Sequence, residues 1–342
     1  MTSPQKSSAT ALVPLALSMG EPAGIGPEVT LKAWAARAAE GLPAFFAVGA
    51  PSLYSDLAAR LNIDVPVAEI TGADEACAHF DGALPILPVT LAAPVAPGHL
   101  APANAPSVMK AIDIACDLAS AGAASGIVTN PIHKRALYDA GLDVPGHTEY
   151  LAQRTGGATP VMMLSCAGLR VVPVTVHVAL KSVAPTLTTA MIAEKGVILA
   201  RALKRDLGIT HPRIAVAGLN PHAGEEGHIG REEIEVIAPA LDAIRREGAD
   251  VSGPLPPDTM FHAAARARYD AALCMYHDQA LIPLKTIDFE HGVNTTLGLP
   301  IVRTSPDHGT ALDIAGRGVA HPGSLIAAIR LAHEIARHRS AA

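Results

Sequence analysis

The 342-residue chain is poor in aromatic residues, cysteine and basic charge, and each shortage excludes a class of protein. Aromatic residues make up 3% of the sequence, so the core has to be built from aliphatic side chains. The four cysteines, Cys77, Cys116, Cys166 and Cys274, form no CxxC pair, which is typical of reduced thiols in a cytoplasmic protein. Acidic residues outnumber basic ones by 32 to 26, a net charge of −6 that argues against a nucleic-acid partner.

The sequence also lacks an uninterrupted apolar run that could span a membrane. Its longest stretch without an acidic or basic residue is 82–109, and six prolines interrupt it. The N-terminus has one lysine before a short apolar run over 11–19 and no small-residue cleavage pattern, so no signal peptide is predicted. We expect a cytoplasmic protein with no membrane partner, in which the Pro-rich segment 82–106 is a long irregular connection.

Hydrophobic residues make up 49% of the chain, which is enough for a large core. Short apolar runs such as AFFAVG (44–49) and RIAVAGLN (213–220) predict buried strands. Between such runs lie amphipathic segments such as MIAEKGVILARALKRDLG (191–208), which predict helices. This alternation predicts an α/β fold with a mostly parallel sheet.

Histidine is abundant, with 15 in the chain, and three histidines lie at the carboxyl ends of predicted strands. These are His177 in VTVHVAL, His222 in GLNPHAGEEGHIG and His277 in MYHDQ. Ligands of α/β proteins bind outside these strand ends, where three imidazoles could hold a divalent metal and leave a coordination position open. Ordinary core or surface histidines would give the same spacing, and His228 is a rival ligand in the loop of His222.

Two glycine-containing loops could each bind an anion or simply make a turn. In GHTEY (146–150), His147 and Thr148 both carry donors, although Thr148 could instead cap the following helix. GEPAGIGPE (20–28) lacks the lysine of a P-loop, so a plain tight turn explains it at least as well as phosphate binding.

The densest polar stretch of the chain is 276–318. It contains Lys285, Asn294 and Arg303, each about one loop apart. Lysine, arginine and an amide together suit a phosphate or a carboxylate, and arginine does so through its fork of donors.

Seven motifs together resemble one known family. They are GEPAGIGPEV, VTNPIHK, GHTEYLA, GLNPHAGEEGHIGREE, GPLPPDTMF, YHDQALIPLK and GVNTTLGLPIVRTSPDHGTALDIAG. Over nearly the whole chain they are similar to the 4-hydroxythreonine-4-phosphate dehydrogenases of pyridoxine (vitamin B6) biosynthesis. The segment DHGTALDIAGRGVAHP is also similar to the cofactor loop of isocitrate and isopropylmalate dehydrogenases.

The resemblance implies a three-layer α/β/α fold of two domains with a cleft between them, like that of isocitrate and isopropylmalate dehydrogenases. We expect a cofactor-side domain at 1–140 plus 300–342 and a metal, substrate and dimerisation domain at 141–299. It also implies a homodimer whose sites take residues from both subunits.

The resemblance further implies roles for individual residues. The metal ligands implied are His177, His222 and His277. The implied substrate-binding residues are His147, Thr148, Lys285, Asn294 and Arg303. The implied cofactor-loop residues are His308, Gly309, Thr310 and Asp313. The expected cofactors are NAD and one divalent ion (zinc, magnesium or cobalt), and the expected partner is a small phosphorylated amino acid.

Two finer expectations concern acidic residues. The resemblance to the decarboxylating dehydrogenases implies that Asp313, five residues after His308, faces the ribose 2′-hydroxyl. An acidic residue there would repel a 2′-phosphate, which predicts NAD rather than NADP. The candidates for the catalytic base are Asp278, beside a ligand histidine, and Asp258 in PPDTM. Asp278 could equally orient its neighbouring histidine.

The implied reaction is the NAD-dependent, metal-assisted oxidation of 4-phosphooxy-L-threonine to 2-amino-3-oxo-4-phosphooxybutanoate. This product then decarboxylates to 3-amino-2-oxopropyl phosphate on the route to pyridoxal phosphate. One alternative is a sister dehydrogenase acting on a cis-dihydrodiol carboxylate or another phosphorylated hydroxy acid. The others are a phosphate acyltransferase and a non-catalytic metabolite-binding protein. The complete anion-binding set favours a phosphorylated substrate, and the three histidines argue against an acyltransferase.

Overall fold

A computed structural model describes residues 13–141, 146–157 and 159–341, and one twelve-stranded sheet runs through them. The strands are β1 Leu15–Ser18, β2 Phe45–Gly49, β3 Val67–Glu69, β4 Leu84–Pro88, β5 Ile127–Thr129, β6 Val161–Cys166, β7 Leu169–Pro173, β8 Arg213–Ala217, β9 Asp250–Leu255, β10 Ala271–Cys274, β11 Val293–Leu297 and β12 Arg303–Pro306. The helices are α1 Gly26–Ala35, α2 Arg37–Glu40, α3 Pro51–Leu61, α4 Ala76–Phe80, α5 Ala105–Ser120, α6 Lys134–Asp139, α7 His147–Arg154, α8 Val183–Thr186, α9 Thr189–Arg205, α10 Ala238–Arg246, α11 Ala263–Arg266, α12 His277–Ile287 and α13 Gly323–Ala341. A π-helical turn, Glu233–Ile237, leads into α10.

The sheet has the order β3-β4-β2-β1-β5-β12-β11-β6-β7-β10-β8-β9. It is mostly parallel, as predicted, but β11 is antiparallel to β12 and to β6, and β6 and β7 are antiparallel to each other. All strands on the β12 side of the β12–β11 pair come from 1–140 and 300–342, and all strands on the β11 side come from 141–299. The two halves coincide with the ranges of the two predicted domains, and the division into domains stays a prediction.

Helices cover both faces of the sheet. The connections β1–α1–β2 and β2–α3–β3 run toward one edge, whereas β4–α5–β5 runs back toward the centre. Since crossovers between parallel strands are right-handed, α1 and α3 lie on one face and α5 on the other. Helix α13 packs against α1 and joins the first layer. The predicted three-layer α/β/α class is confirmed.

The core is aliphatic, as the shortage of aromatic residues requires. In β1, Leu15, Ala16 and Leu17 are fully buried. Phe45 and Phe80, two of the few aromatic residues, pack where a strand meets a helix. Phe45 of β2 contacts Phe80 of α4 edge to face, with ring centroids 5.1 Å apart. Strands covered on both faces lack polar alternation, which is why they stand out in the sequence as continuous apolar runs.

A buried carboxylate joins the last helix to α9. Asp206 is 1% exposed and accepts hydrogen bonds from Nε of Arg339 at 2.8 Å and Nε of Arg205 at 2.6 Å. Burial alone would raise the pKa of Asp206, but the hydrogen bonds from the two arginines outweigh it and hold the pKa below its usual range. Because α13 packs on β12 and α9 on β6, this cluster ties the two halves of the sheet together.

The Pro-rich segment 82–106, expected to be irregular, contains β4 and a 3-10 turn, Pro102–Asn104, and ends in the first residues of α5. Only 89–101 is the irregular connection that was expected. The four cysteines are free thiols. In the part of the chain that is described, no single helix has the length and apolar composition to cross a bilayer. The pair Leu180–Thr186 and Thr189–Arg205, bent by 92°, meets those two criteria jointly.

Candidate functional site

A cleft of about 1430 Å³ opens where the two halves of the sheet meet. Ten of the predicted site residues line it: His147, Thr148, His177, His277, Asp278, Lys285, Asn294, Arg303, His308 and Gly309. Four do not: His222, Asp258, Thr310 and Asp313. The structure therefore brings all five predicted substrate residues to one cavity, together with two of the three predicted metal ligands.

Arg303 begins β12 at the floor of the cleft and is only 4% exposed. Its Nη1 donates to Thr296 Oγ1 at 2.9 Å and its Nη2 to Thr129 Oγ1 at 2.8 Å. Burial lowers the pKa of Arg303 to about 10, so the side chain still carries its charge near neutral pH. Its Nε is buried without a partner among the described residues. A buried, charged donor of this kind calls for an anion.

His147 is the first residue of α7 and presents a second unused polar atom. Its Nε2 is buried and has no hydrogen-bond partner in the described part of the chain. Burial, with the charges of Arg303 and Lys134, lowers its pKa to about 3, so the imidazole is neutral. The alternative helix-capping role of Thr148 is wrong, because α7 begins one residue earlier with Gly146 at the N-cap. Thr148 lies in the first turn, where free backbone N–H groups favour anions.

Asn294 and Lys285 complete the predicted anion set. Asn294 lies on β11, and its Oδ1 is buried with no partner among the residues described. The Lys285 ammonium lies 3.1 Å from Asp307 Oδ2 and so is partly neutralised. The prediction missed Lys134, which begins α6 and lines the same wall; it stands in the motif VTNPIHK. Its position as the last residue of that motif was the signal that could have identified it.

The three predicted metal ligands follow three neighbouring strands. β7, β10 and β8 are adjacent and parallel, so His177, His277 and His222 all lie beyond one edge of the sheet. The rings of His177 and His277 have centroids 6.2 Å apart. The His277 Nδ1 lies 2.6 Å from Asp278 Oδ1, the contact expected of a carboxylate that orients a ligand. Imidazole nitrogens suit zinc and cobalt, so this pair fits a divalent ion.

His222 stands apart from that pair. Its side chain is 65% exposed, and its Nδ1 lies 2.7 Å from Glu225 Oε1. Within the described residues, no three His, Cys, Asp or Glu side chains lie close enough together to hold a metal ion. Asp258, the second candidate base, is exposed on a 3-10 turn, Pro257–Thr259, near enough to raise the pKa of His222 together with the larger effect of Glu225.

The loop that carries His222 is strained. Five consecutive residues, 222–226, have positive φ between 41° and 81° and form a left-handed turn. Only Gly224 among them is a glycine, and a left-handed conformation costs other residues about 1–2 kcal/mol each. Strain of this size persists only where the surroundings impose it, and it is concentrated at functional sites.

The predicted cofactor loop packs against the glycine-rich turn after β1. The backbone N–H of Ile25 donates to Thr310 O at 3.0 Å, and a Cβ on Gly24 would lie 2.9 Å from that oxygen, so only glycine fits there. GEPAGIGPE thus makes a close backbone contact with the loop. Gly309 leaves open space at the cleft wall, since a Cβ there would meet nothing within 4 Å.

His308 and Asp313 occupy different environments in this loop. The His308 Nε2 is buried without a described partner, and burial lowers its pKa. Asp313 is exposed. The loop therefore offers one unused polar atom and an open backbone to a ligand lying along it.

Comparison with known proteins identifies the family. A family model described as pyridoxal phosphate biosynthetic protein PdxA matches residues 42–332. The chain belongs to this family. A Caulobacter vibrioides protein named 4-hydroxythreonine-4-phosphate dehydrogenase is 52% identical over 332 residues, covering 95% of this chain and 98% of that protein.

Solved structures agree with this assignment. A 4-hydroxythreonine-4-phosphate dehydrogenase from Klebsiella pneumoniae superimposes with a TM-score of 0.85 at 40% identity, covering 96% of this chain and 99% of that one. A terephthalate 1,2-cis-dihydrodiol dehydrogenase from Burkholderia xenovorans gives 0.65 at 28% identity, covering 94% and 98%. The PdxA-family chain described here is thus a member of a family of dehydrogenases, which are oxidoreductases.

Proposed function

We propose that this PdxA-family chain is a cytoplasmic, NAD-dependent 4-hydroxythreonine-4-phosphate dehydrogenase. It would oxidise 4-phosphooxy-L-threonine to 2-amino-3-oxo-4-phosphooxybutanoate, which loses CO₂ to give 3-amino-2-oxopropyl phosphate for pyridoxal phosphate synthesis. The observation that carries the proposal is the set of buried, unpartnered polar atoms on Arg303, His147 and Asn294 around one cleft.

The chain's own residues would bind both anionic ends of this substrate. Arg303 and Lys134 place positive charge at the cleft. His147, whose imidazole is neutral, offers the unpartnered Nε2 as a hydrogen-bonding atom. The Thr129 and Thr296 hydroxyls fix the guanidinium of Arg303, so little side-chain entropy is lost on binding.

The proposal includes one divalent ion (zinc, magnesium or cobalt) held by His177, His222 and His277, and NAD along 308–313. When bound, the nicotinamide would accept the hydride and the ion would act as a Lewis acid toward the substrate hydroxyl. Asp278 would fix the tautomer of His277 through the 2.6 Å contact rather than act as the base.

The exposed position of His222 supports a homodimer in which a second copy completes each site. His222 is well placed to face a neighbour, whereas the two other ligands face the cleft of their own chain. Two large apolar side chains are exposed next to this loop: Ile229 at 45%, whose N–H donates to Gly224 O, and Ile234 at 46%, which approaches Gly227. Exposed apolar clusters of this kind mark interfaces.

The proposed function is tested with the purified full chain, 4-phosphooxy-L-threonine, NAD and each of the three metals in turn. We expect the absorbance of reduced nicotinamide to rise, to stop on chelation and to return on adding metal. His147→Gln should lose this activity, while the exposed His79→Gln on α4 should keep it. Absence of reduced cofactor with all three metals, or faster turnover of a cis-dihydrodiol carboxylate, would refute the proposal.

The same assay tests cofactor choice. We expect NAD to be used more efficiently than NADP, and Asp313→Asn to narrow the difference, because the carboxylate repels a 2′-phosphate. Equal efficiency of the two dinucleotides in the unaltered enzyme would remove Asp313 from the cofactor site.

A further inference from the structure

One carboxylate, that of Glu233, binds the loop in which the left-handed turn carries His222. Glu233, the first residue of the π-helical turn, is 4% exposed. Its Oε1 accepts from the backbone N–H groups of Leu219 and Asn220, both at 2.7 Å. Its Oε2 accepts from Asn220 Nδ2 at 3.0 Å. The carboxylate therefore holds the first residues of the loop directly.

The same carboxylate also contacts the far side of the turn. A Cβ on Gly224 would lie 2.6 Å from Glu233 Oε2, and one on Gly218 would lie 3.1 Å from Oε1. Both glycines are thus explained by the close approach of this side chain. His222 lies between the two held segments, on a stretch whose backbone angles are otherwise unfavourable.

Glu233 is held differently from Asp206. Asp206 is compensated by two arginines, whereas the three hydrogen bonds to Glu233 come from neutral amide groups of the loop and no arginine or lysine pairs with it in the described ranges. The three amide hydrogen bonds compensate the burial of this carboxylate, so the side chain and the loop hold each other in place. The Glu233 side chain therefore lies where it can fix the geometry of the loop.

We propose that Glu233 is a positioning residue that fixes the strained turn and so sets the direction in which His222 is presented as a metal ligand. The inference rests on the proposed metal site. Groups that orient a ligand from behind change metal affinity by about 10–100-fold when they are replaced. Glu233 would act one step further back, through the backbone of the turn.

The test is the binding of Co²⁺ alone to the full chain, measured by calorimetry in three variants. His222→Ala gives the loss expected on removing the ligand, and Glu233→Gln should weaken Co²⁺ binding by about 10-fold or more. Glu235→Gln is the matched control, since it makes the same change in the same π-helical turn at an exposed residue that contacts Arg231 instead of the loop.

A second readout follows the loop itself. Hydrogen exchange at the amides of Leu219 and Asn220 should speed up in Glu233→Gln and stay unchanged in Glu235→Gln, with the melting temperature of both variants recorded. If Glu233→Gln does not fold, Gly224→Ala serves instead, because its Cβ would push the turn off an intact carboxylate.

The outcomes separate the two proposals. If His222→Ala weakens Co²⁺ binding but Glu233→Gln and Gly224→Ala do not, the positioning role is overturned and the metal site stands. If His222→Ala has no effect, the ligand assignment fails and the positioning role fails with it. A fall in melting temperature with unchanged Co²⁺ affinity would show that Glu233 has a structural role only.

Discussion

Arg303 and Thr129 lie on neighbouring strands, and the guanidinium Nη2 donates to the threonine hydroxyl at 2.8 Å. With the Thr296 hydroxyl on the other side, this bond fixes the plane of the guanidinium at the floor of the cleft. The unpartnered Nε is thereby held ready for an anion before any substrate arrives.

Replacing Arg303 by lysine tests whether the several donors of the guanidinium are needed, and not only its positive charge. Arg303→Lys keeps a positive charge but cannot reach both threonines and the substrate, so the KM for 4-phosphooxy-L-threonine should rise. A hydrogen bond to a charged group is worth about 1.5–3 kcal/mol, which corresponds to an increase of about 10–100-fold. Arg330→Lys, at an exposed pair with Glu40, is the control. A KM within twofold of the original would contradict the assigned role.

Acid should destabilise the protein in part through His147. Its pKa of about 3 in the folded chain lies below the unfolded value of about 6.5, so between these pH values only the unfolded state takes up this proton. Stability from the neutral imidazole is complete above pH of about 6.5 and is lost as pH falls, by up to about 1.4 kcal/mol per pH unit.

Urea titrations from pH 7 to pH 4 measure this loss. His147→Gln should show a shallower fall in the free energy of unfolding than the original chain, because glutamine takes up no proton. Parallel curves for the two proteins would show that His147 is not buried in its neutral form.

The cluster around Asp206 predicts a stability effect far from the cleft. Asp206→Asn removes the charge that two arginines face. Because Arg205 and Arg339 are 46% and 16% exposed, neither is left as a fully buried charge, and the loss should be about 1–3 kcal/mol. Chemical denaturation should show that loss. Asp242→Asn breaks an exposed pair with Arg245 and should cause no measurable change. Equal effects of the two substitutions would mean that burial of Asp206 has no energetic consequence.

A mixing experiment tests whether sites are shared in the homodimer. His222→Ala and Arg303→Ala should each be inactive or nearly so alone. If His222 serves the partner's site, random pairing of the two variants leaves one intact site in half of the dimers and restores roughly a quarter of the activity. If each site uses one chain only, mixing restores nothing, and the shared site is refuted.

The polar strands at the site, like β4 in the Pro-rich segment, are elements that the sequence pattern did not predict. VNTTL and RTSP form β11 and β12, yet neither is an apolar run, because Asn294 and Arg303 direct their side chains to the cleft. Strands buried on both faces, such as β2 and β8, were found from hydrophobicity alone. The polar residues that β11 and β12 direct to the cleft therefore prevented these strands from being recognised as apolar runs.

The candidate site was predictable in its membership but not in its geometry. Motifs pointed to His177, His222 and His277 as a set, and neighbouring strands do place them at one edge of the sheet. The amino-acid sequence did not predict the left-handed turn at 222–226, because four of its five residues are not glycine and normally avoid positive φ. That conformation depends on Glu233, a contact between residues that only the fold brings together.

The antiparallel strand β11 has a mechanical consequence. It is laddered to β12 on one side and to β6 on the other, so hydrogen bonds run without a gap from one half of the sheet to the other. Two lobes swinging apart on a hinge would have to tear one of these ladders, several bonds at once. The floor of the cleft is thus one continuous hydrogen-bonded sheet shared by the two halves.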